Sequence, residues 1–106
     1  MDISEFTKLI EEIRIFTQER NWEQFHTPKN LAMAIAGEVG ELSAEFQWLT
    51  AEQSKKDSLT LEKIHDVALE MADVQIYLLR LADVLGIDIP RVVREKIAIN
   101  ETRFSK

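Results

Sequence analysis

This 106-residue sequence contains no cysteine, so it can form neither a disulfide framework nor a thiolate metal site, and it offers no thiol nucleophile. Any metal ion must be held by oxygen or imidazole ligands, and oxygen ligands favour Mg²⁺, Mn²⁺ or Ca²⁺. The alternating pattern typical of strands is also absent, as are internal repeats and low-complexity tracts. The expected fold class is therefore all-α.

Long apolar runs and an excess of positive charge are lacking too. No run of about 18 apolar residues suggests a membrane span, and the acidic N-terminal stretch MDISEFTKLIEE lacks the basic start and apolar block of a signal peptide. We therefore expect a cytoplasmic protein. The formal net charge of -6 argues against broad attraction to nucleic acid or an anionic membrane. An anionic ligand would need a cation between it and the protein.

What the chain does have is apolar mass, since 45% of its residues are hydrophobic. This is enough for one core, and residues 1–106 are expected to form a single domain. The apolar residues recur at helical spacing, and the first predicted helix, with Asp2 as a candidate N-cap, ends near Arg20. Thr27 and Pro28 are typical of the start of a second helix, which is predicted to run to about Leu49.

The polar segment at residues 50–60 has no periodicity and is predicted to be a loop, with room for one short helical turn. A third helix covers roughly residues 61–85 and stops at Gly86, a residue typical of the position after a helix end. The fourth helix begins at Asp88 or Ile89 and frays near Phe104. A bundle of four helices is therefore predicted.

Two of these helices carry carboxylates beside their apolar stripes. On a wheel of about 100° per residue, Glu41 and Glu45 lie within roughly 60° of Glu38, next to the apolar residues of helix two and not opposite them. Helix three repeats the arrangement with Glu70 and Asp73. Each helix thus presents an acidic pair at i, i+3.

Ionised carboxylates beside a core are costly unless they are paired or bind a metal. A single acidic pair is more often a rim feature neutralised by Lys or Arg. Two such pairs favour another explanation, because helix two has neither Lys nor Arg between Asn30 and Thr50. A divalent cation such as Mg²⁺ is the favoured neutraliser, and substrate phosphates usually complete its coordination. A phosphate-bearing substrate is therefore expected.

The two acidic motifs, GEVGE and EMAD, have 28 residues between Glu41 and Glu70. They resemble the ExxE…ExxD signature of the MazG-like all-α nucleoside triphosphate pyrophosphohydrolases. The stretches RNWEQFHTPKNLAMAIAGEVGELSAEFQW, ADVQIYLLRLAD and KIAIN are together most similar to the dCTP pyrophosphatase branch. The resemblance covers most of residues 20–104, and WEQFH and FQW make it more specific than ExxE alone.

The resemblance implies hydrolysis of nucleoside triphosphates, in particular dNTPs including dCTP, to the monophosphate and pyrophosphate, as in nucleotide-pool sanitising. The implied cofactor is Mg²⁺, with Mn²⁺ as a substitute. Glu38, Glu41, Glu70 and Asp73 take the metal-ligand roles, and Glu38 or Glu41 also orients the attacking water. Positioning and charge neutralisation are what phosphoryl transfer mainly requires, so the residue chemistry agrees.

By the same resemblance, Trp22, Trp48 and Tyr77 line a nucleotide pocket, and Lys96 and Asn100 of helix four belong to it. Rings at helical spacing are more often core residues. Trp48, however, is two helical turns beyond Glu41, so it could border a bound triphosphate and stack on its base.

The sequence leaves the roles of three nearby residues open. His26 is as compatible with a hydrogen bond to a ligand as with a structural role beside Pro28. Glu45 has no counterpart in the branch pattern, and Gly37 stands where many MazG-like proteins have a further Glu. The number of metal ions therefore stays open, as does the preferred base.

Three alternatives belong to other classes. A di-iron bundle needs a Glu-x-x-His pair on each of two helices, and Glu62 with His65 is a lone example facing away from Glu70. A phosphoribosyl-ATP pyrophosphohydrolase has similar acidic helices, but the rings favour a pocket for a free nucleotide. A non-catalytic helical oligomer would leave the acidic pairs without a purpose.

Assembly is also expected. Helix two carries Val39, Phe46 and Trp48 beyond its main stripe, and four short helices can bury only part of this surface. A dimer or tetramer is predicted, and the resemblance favours a tetramer made of two dimers, with sites at subunit contacts. The expected partners are therefore a nucleoside triphosphate and further copies of this chain.

Overall fold

The computed structural model describes residues 3–104, which form four α-helices: α1 (Ile3–Glu19), α2 (Pro28–Ala44), α3 (Leu61–Leu85) and α4 (Ile89–Arg103). Two short 3₁₀ turns lie in the connections, at Glu23–Phe25 and Lys56–Ser58. No strand occurs within residues 3–104, so the predicted all-α class is confirmed. The proposed N-cap Asp2 lies outside the described residues.

The later three helices each begin with a side chain that accepts a hydrogen bond from the first turn. Such a cap satisfies one of the backbone N–H groups that have no partner inside the helix. Proline follows in the first turn of α2 and of α4, where its missing N–H costs nothing. The caps and the donors of the N–H groups are Thr27 with Asn30, Thr60 with Lys63, and Asp88 with Arg91.

Two helices end with a residue in the left-handed conformation. After α1, Asn21 has φ 57°, and the N–H of Trp22 donates to the carbonyl of Thr17 at 3.1 Å. After α3, Gly86 has φ 68°, and the N–H of Ile87 likewise donates to a carbonyl five residues earlier. Both are Schellman ends, which satisfy the last carbonyl groups of a helix. The predicted stop at Gly86 is confirmed.

The predicted end of helix two was wrong, since α2 stops at Ala44 and not near Leu49. Beyond it the N–H groups of Phe46 and Leu49 donate three residues back, at 3.0 and 2.9 Å, which tightens the chain into turns. The carboxylate of Glu45 is held by Lys63 of α3 at 2.8 Å. Apolar spacing was a poor guide here because the i, i+3 recurrence of Phe46 and Leu49 is shared by a helix and by turns that bond three residues back.

In the core, α2 and α1 both pack against α3, whereas α4 packs only sparsely on the other helices. The fully buried apolar side chains of the described chain are Leu31, Leu79 and Ala82. The radius of gyration is 16.5 Å, against about 13 Å for a compact domain of this length. The single chain is therefore extended and leaves much apolar surface open. None of the described helices has the length and apolarity needed to cross a membrane.

Candidate active site

Packing of α2 on α3 brings together carboxylates that are far apart in the sequence. Glu38 comes from α2, while Glu70 and Asp73 lie one turn apart on α3. Each of the three offers an oxygen within 4.8 Å of the others'. Glu38 and Glu70 are half-buried, and Asp73 is exposed. The arrangement gathers oxygen ligands from two helices at one point.

Glu41, one turn beyond Glu38, is exposed and lies outside this group of three. Its charge still acts on the group. Burial raises the pKa of the Glu70 carboxyl above its ordinary value, and the negative charges of Glu41, Asp73, Glu38 and Glu45 raise it further. The site therefore accumulates negative charge that the fold itself does not neutralise.

Within residues 3–104, no Lys or Arg forms a salt bridge with Glu38, Glu41, Glu70 or Asp73. Glu45 differs, because the Nζ of Lys63 lies 2.8 Å from its Oε1. The carboxylate without a counterpart in the family pattern is thus the one with a cation of its own. For Glu45 the ordinary reading, a rim carboxylate paired with lysine, is the one that the structure bears out.

A cavity of about 250 Å³ opens between α1, the connection after it, α2 and α3. Trp22 and Tyr77 share its wall with the carboxylates Glu38 and Asp73. Phe16 contributes a further ring, which meets Trp22 edge to face with centroids 5.7 Å apart. The full lining is Ile13, Phe16, Thr17, Trp22, His26, Glu38, Asp73, Ile76, Tyr77 and Arg80.

His26 and Arg80 form a polar end to this cavity. The Nε of Arg80 donates to Nδ1 of His26 at 3.1 Å, and its Nη1 donates to Asp83 at 3.1 Å. Asp83 also receives two hydrogen bonds from Arg14, at 2.8 and 2.7 Å. These bonds from Arg14 chiefly lower the pKa of the Asp83 carboxyl, with Arg80 adding to the effect. Burial first, and the charge of Arg80 second, lower the pKa of His26.

This network was missed by sequence reasoning. Arg80 and Asp83 are one turn apart and look like an ordinary surface ion pair, yet the side chain of Arg80 is only 7% exposed. The sequence carried a signal in the heptad-like spacing of Asp73, Tyr77 and Arg80, which places an arginine on the face of α3 that carries the acidic site. Its partner His26 is 54 residues away, and only the packing reveals it.

Three predicted pocket residues lie away from the cavity in a single chain. Trp48 is 87% exposed and sits in the turns after α2, so its helix-based placement two turns beyond Glu41 was wrong. Lys96 and Asn100 lie on α4, which packs sparsely on the rest. Lys96 lines a shallow apolar groove of α4 itself, together with Val92 and Ile99.

The donor set suits a hard divalent cation. It consists of carboxylate oxygens, it comes from two helices, and no lysine or arginine of the described chain occupies it. Mg²⁺ and Mn²⁺ prefer such oxygen ligands. Burial is the main cause of the raised pKa of Glu70, and the negative charges of its acidic neighbours, which raise it further, are what a bound cation would relieve.

The chain is all-α, and carboxylates from two packed helices lie beside a cavity lined by aromatic rings. The fold and the site together indicate the class of this protein. The MazG-like family model matches residues 33–105, so the chain belongs to the MazG-like family. The human and rat dCTP pyrophosphatase 1 are 42% and 40% identical over 89 residues, which cover 84% of this chain. Those residues cover 52% of each relative, so the chain spans about half the length of the curated relatives it matches.

A solved structure agrees with the fold. The crystal structure of a pyrophosphatase from Archaeoglobus fulgidus superposes with a TM-score of 0.86 at 39% identity, covering 94% of this chain and 92% of that one. The similarity therefore extends over all four helices, including the sparsely packed α4.

Proposed function

We propose that this protein is a Mg²⁺-dependent nucleoside triphosphate pyrophosphohydrolase, releasing the monophosphate and pyrophosphate, with dNTPs including dCTP as substrates. The proposal treats the four helices as one catalytic domain and expects it in the cytoplasm, where the nucleotide pool lies. The similarity to a dCTP pyrophosphatase and to an archaeal pyrophosphatase supports it.

The observation that carries the proposal is that an acidic cluster lies next to a ring-lined cavity. The convergent carboxylates of α2 and α3 border a cavity whose other walls are mainly rings and aliphatic side chains, with His26 and Arg80 at its polar end. A nucleotide has matching parts, a polyanionic chain that needs a cation and a flat base that stacks on rings. Phosphoribosyl-ATP also fits the acidic end, but the compact ring-lined cavity favours a simple nucleotide.

Glu38, Glu70 and Asp73 would hold the metal. Glu41 is a fourth carboxylate, whose negative charge would also act on the bound metal. A Mg²⁺ ion held by these residues would neutralise charge on the phosphates and would activate a water molecule. Glu38 or Glu41 is proposed to orient the attacking water, because a carboxylate near the ligands can accept its proton. Trp22 and Tyr77 are proposed to stack on the base and keep water from it.

A homo-oligomer, a dimer or a tetramer of two dimers, is the proposed working form. Its support is the open apolar surface of α4, where Val93, Ile97, Ile99 and Phe104 are 45–69% exposed. A second copy is also the proposed means by which Trp48, Lys96 and Asn100 reach a site. In this arrangement the partner covers exposed rings and supplies a cation and an amide to the phosphates.

The test of the reaction class is incubation with each dNTP and NTP plus Mg²⁺, with separate assays for pyrophosphate and orthophosphate. We expect pyrophosphate and the monophosphate in equal amounts, no reaction without a divalent cation, and partial activity with Mn²⁺. Glu70→Gln should be inactive. Glu62→Gln is the matched control, because Glu62 is an exposed carboxylate on the same helix outside the cluster. Release of orthophosphate instead would overturn the proposal.

Sugar selectivity is a sharper prediction than base selectivity. Stacking tolerates every base, whereas a 2′-hydroxyl buried against an apolar wall without a partner costs about 1–3 kcal/mol, or about 5- to 150-fold. We expect kcat/KM for dCTP to exceed that for CTP by a factor in this range. Trp48→Ala should raise KM more than it lowers kcat. Equal values for dCTP and CTP would remove the ring pocket from the proposal, and a Trp48→Ala variant identical to wild type would remove Trp48 from it.

A further inference from the structure

The hydrogen bond between Arg80 and His26 restricts what His26 can do. The guanidinium of arginine only donates hydrogen bonds and stays protonated. Its Nε lies 3.1 Å from Nδ1 of His26, so Nδ1 must be the acceptor in this bond. In a neutral imidazole the proton then sits on Nε2. The contact therefore selects one of the two tautomers and fixes the plane of the ring.

Arg80 is itself held firmly. Its side chain is 7% exposed, and its Nη1 donates to Asp83 while Nε faces His26. Asp83 is anchored in turn by Arg14 through both carboxylate oxygens. The guanidinium cannot turn away from His26 without losing the bond to Asp83. Since α3 also carries Asp73 and Tyr77, the same rigid helix sets the distance from the acidic site to the imidazole.

The remaining nitrogen of His26 is free for a ligand. His26 lines the cavity that Trp22 and Tyr77 share, and within residues 3–104 its Nε2 has no hydrogen-bond partner. The lowered pKa of His26 is consistent with a neutral ring. A neutral imidazole with its proton on Nε2 presents a hydrogen-bond donor at this place and no acceptor.

We propose that Arg80 is a positioning residue that locks His26 as a one-sided hydrogen-bond donor in the cavity. The ligand atom opposite Nε2 must then be an acceptor, such as a carbonyl oxygen or an unprotonated ring nitrogen of a base, or a phosphate oxygen. An exocyclic amino group is disfavoured there. The chemistry inferred for the ligand rests on the proposed function, whereas the tautomer of His26 does not.

The direct test is ¹⁵N NMR of the imidazole nitrogens in protein labelled at histidine. The chain has two histidines, and the exposed His65 serves as an internal reference for a ring in water. We expect His26 to show an acceptor-type Nδ1 and a protonated Nε2, and Arg80→Met to give it the averaged pattern of His65. A proton on Nδ1 in the wild type, or an unchanged His26 spectrum in Arg80→Met, would overturn the proposal.

Arg14→Met is the matched control for the spectrum. It removes the other arginine that donates to Asp83, a side chain that is 45% exposed, but leaves the bonds from Arg80 to His26 and to Asp83 in place. We expect the His26 signals of this variant to stay as in the wild type. If Arg14→Met altered the tautomer as much as Arg80→Met, the role assigned to Arg80 would be wrong.

Kinetics with dCTP separate positioning from general damage. Losing the pre-set ring should raise KM about 3- to 10-fold in Arg80→Met with little change in kcat, and Arg80→Lys should recover part of the loss because it keeps a cationic donor. An unchanged KM in Arg80→Met would contradict a positioning role. The NMR result is obtained without nucleotide, so a failure of the proposed function is distinguishable from a failure of this inference.

Two substitutions of His26 itself separate its two nitrogens. Gln places an amide N–H near the position of Nε2, whereas Asn places its oxygen near Nδ1 and leaves nothing at Nε2. We expect His26→Gln to keep a lower KM for dCTP than His26→Asn. The reverse order would show that the bond to Arg80, and not the donor toward the cavity, is what the substrate requires.

Discussion

The carboxylates at the candidate site are placed for function at some cost to folding. Glu70 has a pKa raised by burial and by its acidic neighbours. The folded state therefore binds this proton more tightly than the unfolded state. The contribution of Glu70 to stability is therefore complete below its ordinary pKa of 4.5. It is lost as the pH rises through the raised pKa of the folded state. Removing a charge from the cluster should thus not weaken the fold near neutral pH.

Glu41→Gln and Asp73→Asn should therefore separate activity from stability. We expect either variant to lose turnover by about two orders of magnitude or more, while the melting temperature without metal is unchanged or raised. The rise in melting temperature that Mg²⁺ causes in the wild type, as ligand binding to the native state, should shrink in both. Differential scanning fluorimetry with and without Mg²⁺, alongside the pyrophosphate assay, measures this. Near wild-type turnover at saturating nucleotide and Mg²⁺ would refute the metal-ligand assignment.

His26 gives the protein a predictable pH response. Its pKa is lowered in the folded state, so between that value and the ordinary 6.5 the unfolded chain binds the extra proton. The stability it contributes is complete above 6.5 and is lost as the pH falls through this window. His26→Asn should flatten that part of the curve of melting temperature against pH. His65→Gln is the control, and an equal slope in wild type and His26→Asn would disprove the effect.

At the scale of the element, the connection after α1 decides where the cavity wall stands. Asn21 takes φ 57°, which turns the chain so that Trp22 folds back against Phe16. Arg20 also packs on Phe16, with its guanidinium carbon 3.6 Å from the centroid of the ring. One left-handed residue thus links the end of a helix to a wall of the site.

Substitutions of Asn21 test this link. A β-branched residue is strained at positive φ, so Asn21→Val should lower the free energy of unfolding by about 1–2 kcal/mol. Asn21→Gly adopts the same conformation without strain and should be neutral within about 1 kcal/mol. Urea denaturation compares the two. If Val and Gly gave equal stability, the left-handed turn would not matter to the fold.

At the scale of the whole molecule, one chain buries few side chains completely and is extended for its length. Apolar side chains are exposed along α4, and Trp48 and Leu61 are 87% and 86% exposed. Contiguous apolar surface of this kind marks interaction sites. A second copy of the chain, whose own α4 exposes the same apolar residues, is the simplest partner that would bury this surface.

We therefore expect light scattering at micromolar concentration to give the mass of a dimer or a tetramer, and not the 12.3 kDa of one chain. Ile97→Glu, which places a charge in the exposed apolar face of α4, should shift the mass downward and reduce activity if the partner supplies Lys96 and Asn100. Lys56→Glu, in the 3₁₀ turn away from α4, is the control. A monomeric mass for the wild type would defeat the proposed assembly.

The sequence by itself was sufficient for the helix class, the starts at Thr27 and Asp88, and the stop at Gly86. These features follow from local rules, since caps, left-handed glycines and helical period act within a few residues. Only the tertiary structure showed that α2 ends at Ala44. The turns beyond it close through hydrogen bonds three residues back, and Glu45 forms an ion pair with Lys63 of α3.

The packing also decided which charges are neutralised. The sequence contained Lys63 and Arg80 on one helix, but nothing local says that the first pairs with Glu45 and the second with His26. Such partners are 18 and 54 residues apart, so they meet only when α2 and the connection before it pack on α3. In the part of the chain that the structure describes, the carboxylates of the candidate site form no salt bridge with Lys or Arg, and these two basic side chains pair elsewhere.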